Sequence, residues 1–272
     1  VGAAGTTVNI AGTAGTGFPA SGAALTGSTN NTVTTVTGAN AIQGEANLRF
    51  DGSQLRVGSG TTSAQANGDD VVIEGSANTG LTILSGADDL ASVYLGQNGA
   101  NNDCKFEYDN DTNALVVHTN ATLAMTINGS GAMTKPKQPC FFAYASTQSG
   151  IGSGTYDVIF ANERFDLGGN FATPSFTAPV TGKYAFQMSV LLVNLQAGGN
   201  ASVYFQVSNA EIRVWRQDTD GDAGTYETAS GAIVIDMDAN DTCKIQVNSS
   251  VDNDYIIDGG AYSTHFSGYL VA

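Results

Sequence analysis

Two rhythms of apolar and polar residues divide this chain. Up to Ile127 the apolar residues come in short runs between Gly, Ser, Asn and Asp: Leu48-Arg49-Phe50, Leu55-Arg56-Val57, Val71-Val72-Ile73, Leu81-Thr82-Ile83-Leu84, Val93-Tyr94-Leu95, Phe106-Glu107-Tyr108, Leu115-Val116-Val117 and Met125-Thr126-Ile127. Each run is too short for a helix and has strand propensity, so each predicts a short β-strand. The turns return at intervals of roughly ten residues, the spacing of hairpin or solenoid stacks rather than of one closed globule. No strict repeat aligns.

Ahead of these runs, residues 1–44 hold no charged side chain, and their apolar side chains are mostly Ala with isolated Val8, Ile10, Phe18, Leu25, Val33 and Val36. Ordering a residue costs about 1–2 kcal/mol of backbone entropy, which so little burial cannot offset. The segment is expected to be disordered as a monomer and to order where neighbouring chains supply the missing surface.

After Thr134-Lys-Pro-Lys-Gln-Pro, whose two prolines cannot donate to a ladder, the pattern changes. Longer, more apolar strands are predicted at 140–145, 156–160, 175–178, 183–193, 202–208, 211–216, 231–237, 243–247 and 265–271. Tyr184, Phe186, Met188 and Val190 alternate with Ala185, Gln187, Ser189 and Leu191, the period of a strand with one face on a core. So many strands in one half-chain suit a two-sheet sandwich with aromatic residues filling the space between the sheets. Three regions follow: an uncharged segment 1–44, a β-rich segment 45–137 and a sandwich 138–272.

Composition narrows the function. Gly is abundant at 34 residues, Pro is 5, and charged residues make up 13% of the chain, an all-β, turn-rich composition. The net charge is −15, with no basic cluster, so nucleic-acid binding and a polybasic membrane anchor are not expected. No run approaches the roughly 20 apolar residues of a spanning helix, so no membrane insertion is expected. Cys104, Cys140 and Cys243 are odd in number and form no CxxC pair, which reads as buried, reduced side chains. No signal peptide is visible, and the first residue is Val1, which suggests that an N-terminal anchoring piece is missing or was removed.

Candidate chemistry is sparse. His118 and His265 lie in strand contexts without a nucleophile in a recognisable motif, and no GxSxG, HExxH or P-loop occurs. Asp236 and Asp238 could face one way as a carboxylate pair, as a glycosidase needs, but read more simply as part of an ordinary late strand. Asp218-Thr-Asp-Gly-Asp-Ala begins like a calcium loop, yet lacks Gly at the sixth position and has Ala229 where the bidentate Glu belongs. That excludes an ordinary calcium-binding hand; a looser cation site or a solvated acidic loop remains. No cofactor and no catalytic residue are expected. Asn-X-Ser/Thr triplets such as Asn120-Ala-Thr are expected by chance in this composition.

The runs Thr32-Val-Thr-Thr-Val-Thr-Gly-Ala-Asn, Asn47-Leu-Arg-Phe-Asp-Gly-Ser-Gln-Leu, Asp70-Val-Val-Ile-Glu-Gly-Ser-Ala-Asn-Thr-Gly and Phe106-Glu-Tyr-Asp-Asn-Asp, closed by Met125-Thr-Ile-Asn-Gly-Ser-Gly, resemble shaft segments of tailed-bacteriophage tail fibres, especially marine ones. A low-complexity bacterial surface repeat is the plainer alternative. Phe160, Asn162, Phe165, Gly168, Phe171, Phe176-Thr-Ala-Pro-Val-Thr-Gly-Lys-Tyr-Ala-Phe, Gly231-Ala-Ile-Val-Ile-Asp-Met-Asp and the terminal Phe266-Ser-Gly-Tyr-Leu resemble the complement C1q family of globular heads, which belongs to the tumour-necrosis-factor-like jelly rolls. No collagen Gly-X-Y stalk is present, so complement function is not implied. Together the resemblances imply an elongated, intertwined trimeric β-shaft carrying a jelly-roll head, in a homotrimeric virion fibre exposed to the medium. Its partners would be a virion attachment protein and a host-surface glycan or protein receptor. The alternatives are a capsid-attached head fibre and a bacterial filament or spore-coat bristle with a trimerising cap. An enzymatic tailspike is the enzyme-class alternative.

The family's habit of placing both termini of the head beside the stalk, combined with strand alternation, divides the connections. Those at 179–182, 208–210 and 238–242 are expected at the base. Those at 195–200, 218–229 and 252–261 are expected at the far tip, and they carry Asp218, Asp220, Asp222, Tyr226, Glu227, Asp252, Asp254, Tyr255 and Asp258. Carboxylates accept hydrogen bonds from sugar hydroxyls and aromatic rings stack on sugar faces, so Asp218, Asp220, Asp222, Tyr226, Asp252, Asp254 and Tyr255 are the predicted binding residues, for a glycan first and a basic or cation-bridged receptor second. The same charges could instead keep neighbouring fibre tips apart.

Overall fold

The computed structural model describes residues 24–26, 32–38, 41–50, 54–58, 71–75, 77–97, 100–208, 210–218, 224–250 and 254–272. Every regular element among them is a β-strand. Two compact units divide between Leu84 and Ser85.

In the first unit, β1 (Ala24–Thr26), β2 (Thr32–Gly38), β3 (Ala41–Phe50), β4 (Leu55–Gly58) and β5 (Val71–Glu74) form one sheet, with β1, β2 and β4 all pairing β3. The β4–β5 pair is parallel, and the Arg56–Glu74 ion pair (3.1 Å) joins its two strands. Part of the uncharged segment is thus strand, but pairing alone buries little of it: Val36 stays 78% exposed. Residues 1–23, with Val8, Ile10 and Phe18, lie outside the described residues. Leu81-Thr82-Ile83-Leu84, predicted as a strand, is exposed irregular chain that pairs with none of the described strands.

The second unit opens with an antiparallel meander of β6 (Leu90–Gln97), β7 (Ala100–Asp109), β8 (Ala114–Thr119), β9 (Thr122–Ile127) and β10 (Met133–Thr134), paired in chain order. Its turns are local chemistry. The Asp109 carboxylate accepts from the backbone N–H groups of Asp111 and Thr112 and from the Thr112 hydroxyl, and Asn120 and Ala121 both take positive φ between β8 and β9.

Thirteen strands then build the sandwich: β11 (Cys140–Tyr144), β12 (Gln148–Ile151), β13 (Gly154–Asp157), β14 (Asn162–Leu167), β15 (Phe171–Ala172), β16 (Ser175–Thr177), β17 (Gly182–Leu195), β18 (Asn200–Val207), β19 (Ala210–Asp218), β20 (Gly224–Met237), β21 (Thr242–Ser249), β22 (Tyr255–Ile257) and β23 (His265–Leu270). One sheet runs β14-β11-β23-β17, with β20 on the other edge of β17 and β22 and β12 continuing beyond the end of β23. The other runs β15-β16-β21-β18-β19, with β13 also pairing β21.

Between the sheets the alternation of β17 buries Tyr184, Phe186, Met188, Val190 and Leu192, and β18 and β21 answer with Val203, Phe205, Ile245 and Val247. Phe141 lies stacked on Phe176 and on Phe171 at 5.0 and 4.9 Å and edge-on to Phe266 at 4.9 Å, tying the sheets together. Each such ring contributes about 1.5–3 kcal/mol by leaving water. Gly231 on β20 faces Val214 on β19, where a Cβ would lie 2.7 Å from that of Val214, so glycine lets the edges of the two sheets approach.

Candidate functional site

The ladder register fixes which connections share an end of the sandwich. At one end the chain enters through Pro139 and leaves through Val271: Leu270 N–H donates to Pro139 O (3.1 Å) and Val271 N–H to Lys183 O (2.7 Å). The tight connections gather there, since Asn240 N–H donates to Ala178 O (2.8 Å) and Thr242 N–H to the Ser208 hydroxyl (2.8 Å). At the opposite end Leu195 pairs with Gly224, Asn200 with Asp218 and Ala201 with Ser249. Asn200 and Ser250 exchange hydrogen bonds of 2.9 Å, which locks two of these strand ends together.

The predicted binding residues separate on this frame. Asp218 ends β19 and accepts a fork from Arg216, Nε at 3.2 Å and Nη2 at 2.8 Å, and this carboxylate raises the guanidinium above its ordinary range. The loop end is therefore not purely acidic. Tyr226 is 71% exposed but stands on a strand opposite Val193. The connection expected to last until Ala229 ends at Gly224, because β20 pairs β17 along nearly its whole length. Glu227 is half-buried opposite Leu192, Asp254 is exposed, and Asp258 is partly buried, its N–H donating to Leu191 O at 2.9 Å. Asp220, Asp222 and Asp252 lie outside the described residues.

Tyr255 corrects the expectation. It is wholly buried on β22, where Tyr255 and Ile257 face the core, so its ring is unavailable to a sugar. Its hydroxyl has no hydrogen-bond partner among the described residues, and burial, followed by the neighbouring Tyr156, pushes its pKa up. Ala229, at the closing position of the suspected calcium loop, is also wholly buried, and no group of three metal-ligating side chains occurs among the described residues. Asp236 is tied to Lys183 at 2.5 Å, and Asp238 lies beyond the end of β20 in a turn held by Asp241.

The comparisons meet this geometry at one place: residues 140–271 match the C1q domain family. These residues form a C1q-like domain. Among solved structures, the globular domain of zebrafish complement 1qA protein is 16% identical, covering 50% of this chain and 98% of that one at a TM-score of 0.38. Murine APRIL at pH 8.5 is 12% identical (50% and 100% covered, TM-score 0.36), and Eiger TNF from S. frugiperda is 9% identical (50% and 94%, TM-score 0.34). No curated protein matches the chain.

The C1q-like head has a second feature that the sequence reading assigned to the interior. On β11 Phe141 and Ala143 face the core, while Cys140, Phe142 and Tyr144 face away from it. The register sets Phe142 beside Phe165 and Cys140 between Leu167 and Tyr269, while Ala185 is paired with Val234. Phe165 (42%), Tyr269 (46%) and Val234 (67%) are exposed on this outer face. His265 stacks on Phe142 at 5.3 Å, its Nδ1 buried without a hydrogen-bond partner among the described residues and its pKa lowered by desolvation. The signal was in Cys140-Phe-Phe-Ala-Tyr, a strand apolar on both faces, which needs cover on both.

Proposed function

We propose that this protein is a homotrimeric fibre of a bacteriophage virion, exposed to the medium, whose C1q-like head holds its loop end against the host surface and binds there without catalysis. The observation that carries the reading is the polarity of the head: the chain enters and leaves at one end, which leaves the end with Asp218, Tyr226 and Asp254 free to meet a receptor. The runs from Thr32 to Met133, which resemble phage fibre shafts, supply the virion context. The open aromatic outer face of the head supports assembly from copies, since monomers rarely expose contiguous apolar patches of this kind. A host-surface glycan is the favoured receptor, with Tyr226 offering a ring and the carboxylates accepting from sugar hydroxyls.

Light scattering of the full chain at micromolar concentration is expected to give three copies, and a stable folded monomer overturns the assembly. The labelled trimer is then applied to an array of bacterial surface polysaccharides. Binding that disappears in Asp218→Ala/Tyr226→Ala, with the trimer intact, supports the loop end as the receptor site. Binding that survives the double substitution removes it.

A further inference from the structure

The β6–β10 meander confines its charged strand residues to one face. Val93, Phe106, Val117 and Met125 stand in one row across β6 to β9, and Tyr108, Leu115 and Ile127 in the next row on the same face. Cys104, between Leu95 and Thr119, continues this face. The opposite face carries the charged and titratable side chains Lys105, Glu107, Asp109 and His118 beside Leu90, Tyr94, Val116 and Leu123, with Glu107 accepting from Lys105 at 2.7 Å and from Ser92 at 3.1 Å. Leu95 (50%), Phe106 (47%) and Tyr108 (42%) remain open to solvent on the apolar face.

We infer that this apolar face is the surface on which the meanders of neighbouring copies of this chain meet, so that the shaft segment has its core between chains rather than within one. The inference rests on the trimeric reading above and names what covers the sheet. Charge argues for identical copies as the occupant. The chain carries a net charge of −15, yet no charged residue stands in the rows of this face, so identical surfaces meet without opposing like charges.

Area adds a condition. Five strands at about 4.8 Å spacing and about six residues at 3.3 Å each make a face of roughly 400 Å². A stable interface takes about 800 Å² from each partner. The face therefore does not hold copies together unaided; it closes once association of the heads raises the local concentration of the sheets.

Cys104 tests this in the full chain, by N-ethylmaleimide labelling with peptide mapping to separate it from Cys140 and Cys243. In the trimer Cys104 is expected to react about tenfold more slowly than in Phe106→Asp, whose new charge sits at a position already exposed in one chain and leaves the head trimer intact. A second measurement needs no variant: labelling of the wild-type thiol should accelerate as dilution dissociates the trimer. A wild-type trimer in which Cys104 reacts as fast as in Phe106→Asp, or in which dilution changes nothing, overturns the inference while leaving the trimer standing. A monomer in light scattering overturns the assembly itself.

Discussion

Gly268 on β23 lies under the ring of Phe186 on β17, so close that a Cβ on it would fall 2.4 Å from Phe186 Cδ1 and 2.9 Å from Phe141 Cε1. The ladder pairs Gly268 with both Phe141 and Phe186, and the two rings occupy the space that a side chain between them would need. Gly268→Ala is therefore expected to destabilise the head by about 1–3 kcal/mol through overpacking. Urea unfolding followed by the fluorescence of Trp215, the sole tryptophan, measures this; an unchanged midpoint contradicts it.

The same rings show how far the sequence could be read. The alternation of Tyr184, Phe186, Met188 and Val190 announces a strand with one buried face, and the division of connections between two ends follows from counting strand reversals. Four strands of the sandwich were not legible. The β14 sequence Asn162-Glu-Arg-Phe-Asp-Leu is charged and polar because it forms an edge, pairing only β11 among the described strands, and β12, β15 and β22 are too short to establish a period. Phe165 was read as core filling, because periodicity gives alternation but not which face looks inward. Tyr255 was read as a loop residue because acidic Asp252 and Asp254 precede it, whereas the buried pair Tyr255 and Ile257 makes it strand. The whole candidate site suffers from this: Tyr226 and Asp218 are at the loop end, but the sequence does not disclose that Arg216 offsets the charge of Asp218.

Tyr255 yields a second prediction. A hydroxyl buried without a partner costs about 1–3 kcal/mol of lost hydration, and Tyr255→Phe removes that cost while keeping the ring. The variant is expected to gain roughly 1 kcal/mol in the same unfolding assay. The pH dependence has a definite sign. Burial raises the folded pKa of Tyr255, so the unfolded chain releases this proton first and stability falls as pH rises above about 10. Tyr255→Phe should flatten that alkaline limb; an unaltered limb would mean that the hydroxyl finds a partner.

The third prediction concerns Glu107, which sits on the polar face of the β6–β10 sheet. Its pKa is held below the ordinary carboxylate range, first by the Lys105 ammonium hydrogen bond and then by the Ser92 hydroxyl and the charges of Lys105 and His118, against an opposing desolvation cost. Because the folded value is depressed, folding favours the ionised form. The contribution is fully present above the unfolded carboxylate range and is lost as pH falls through the lower folded value. Glu107→Gln exchanges the charge-assisted bond for a neutral one and should weaken the sheet at pH 7 by about 1 kcal/mol. As the pH is lowered through the titration of the wild-type carboxylate, the difference should shrink. Trp215 is in the head and does not report on this sheet, so the measurement is amide hydrogen exchange of peptides from β6, β7 and β8, taken as variant against wild type at each pH. Comparison at one pH cancels most of the intrinsic pH dependence of exchange. A difference that does not shrink down to the acid unfolding of the sheet would show that Glu107 acts through packing and not through its charge.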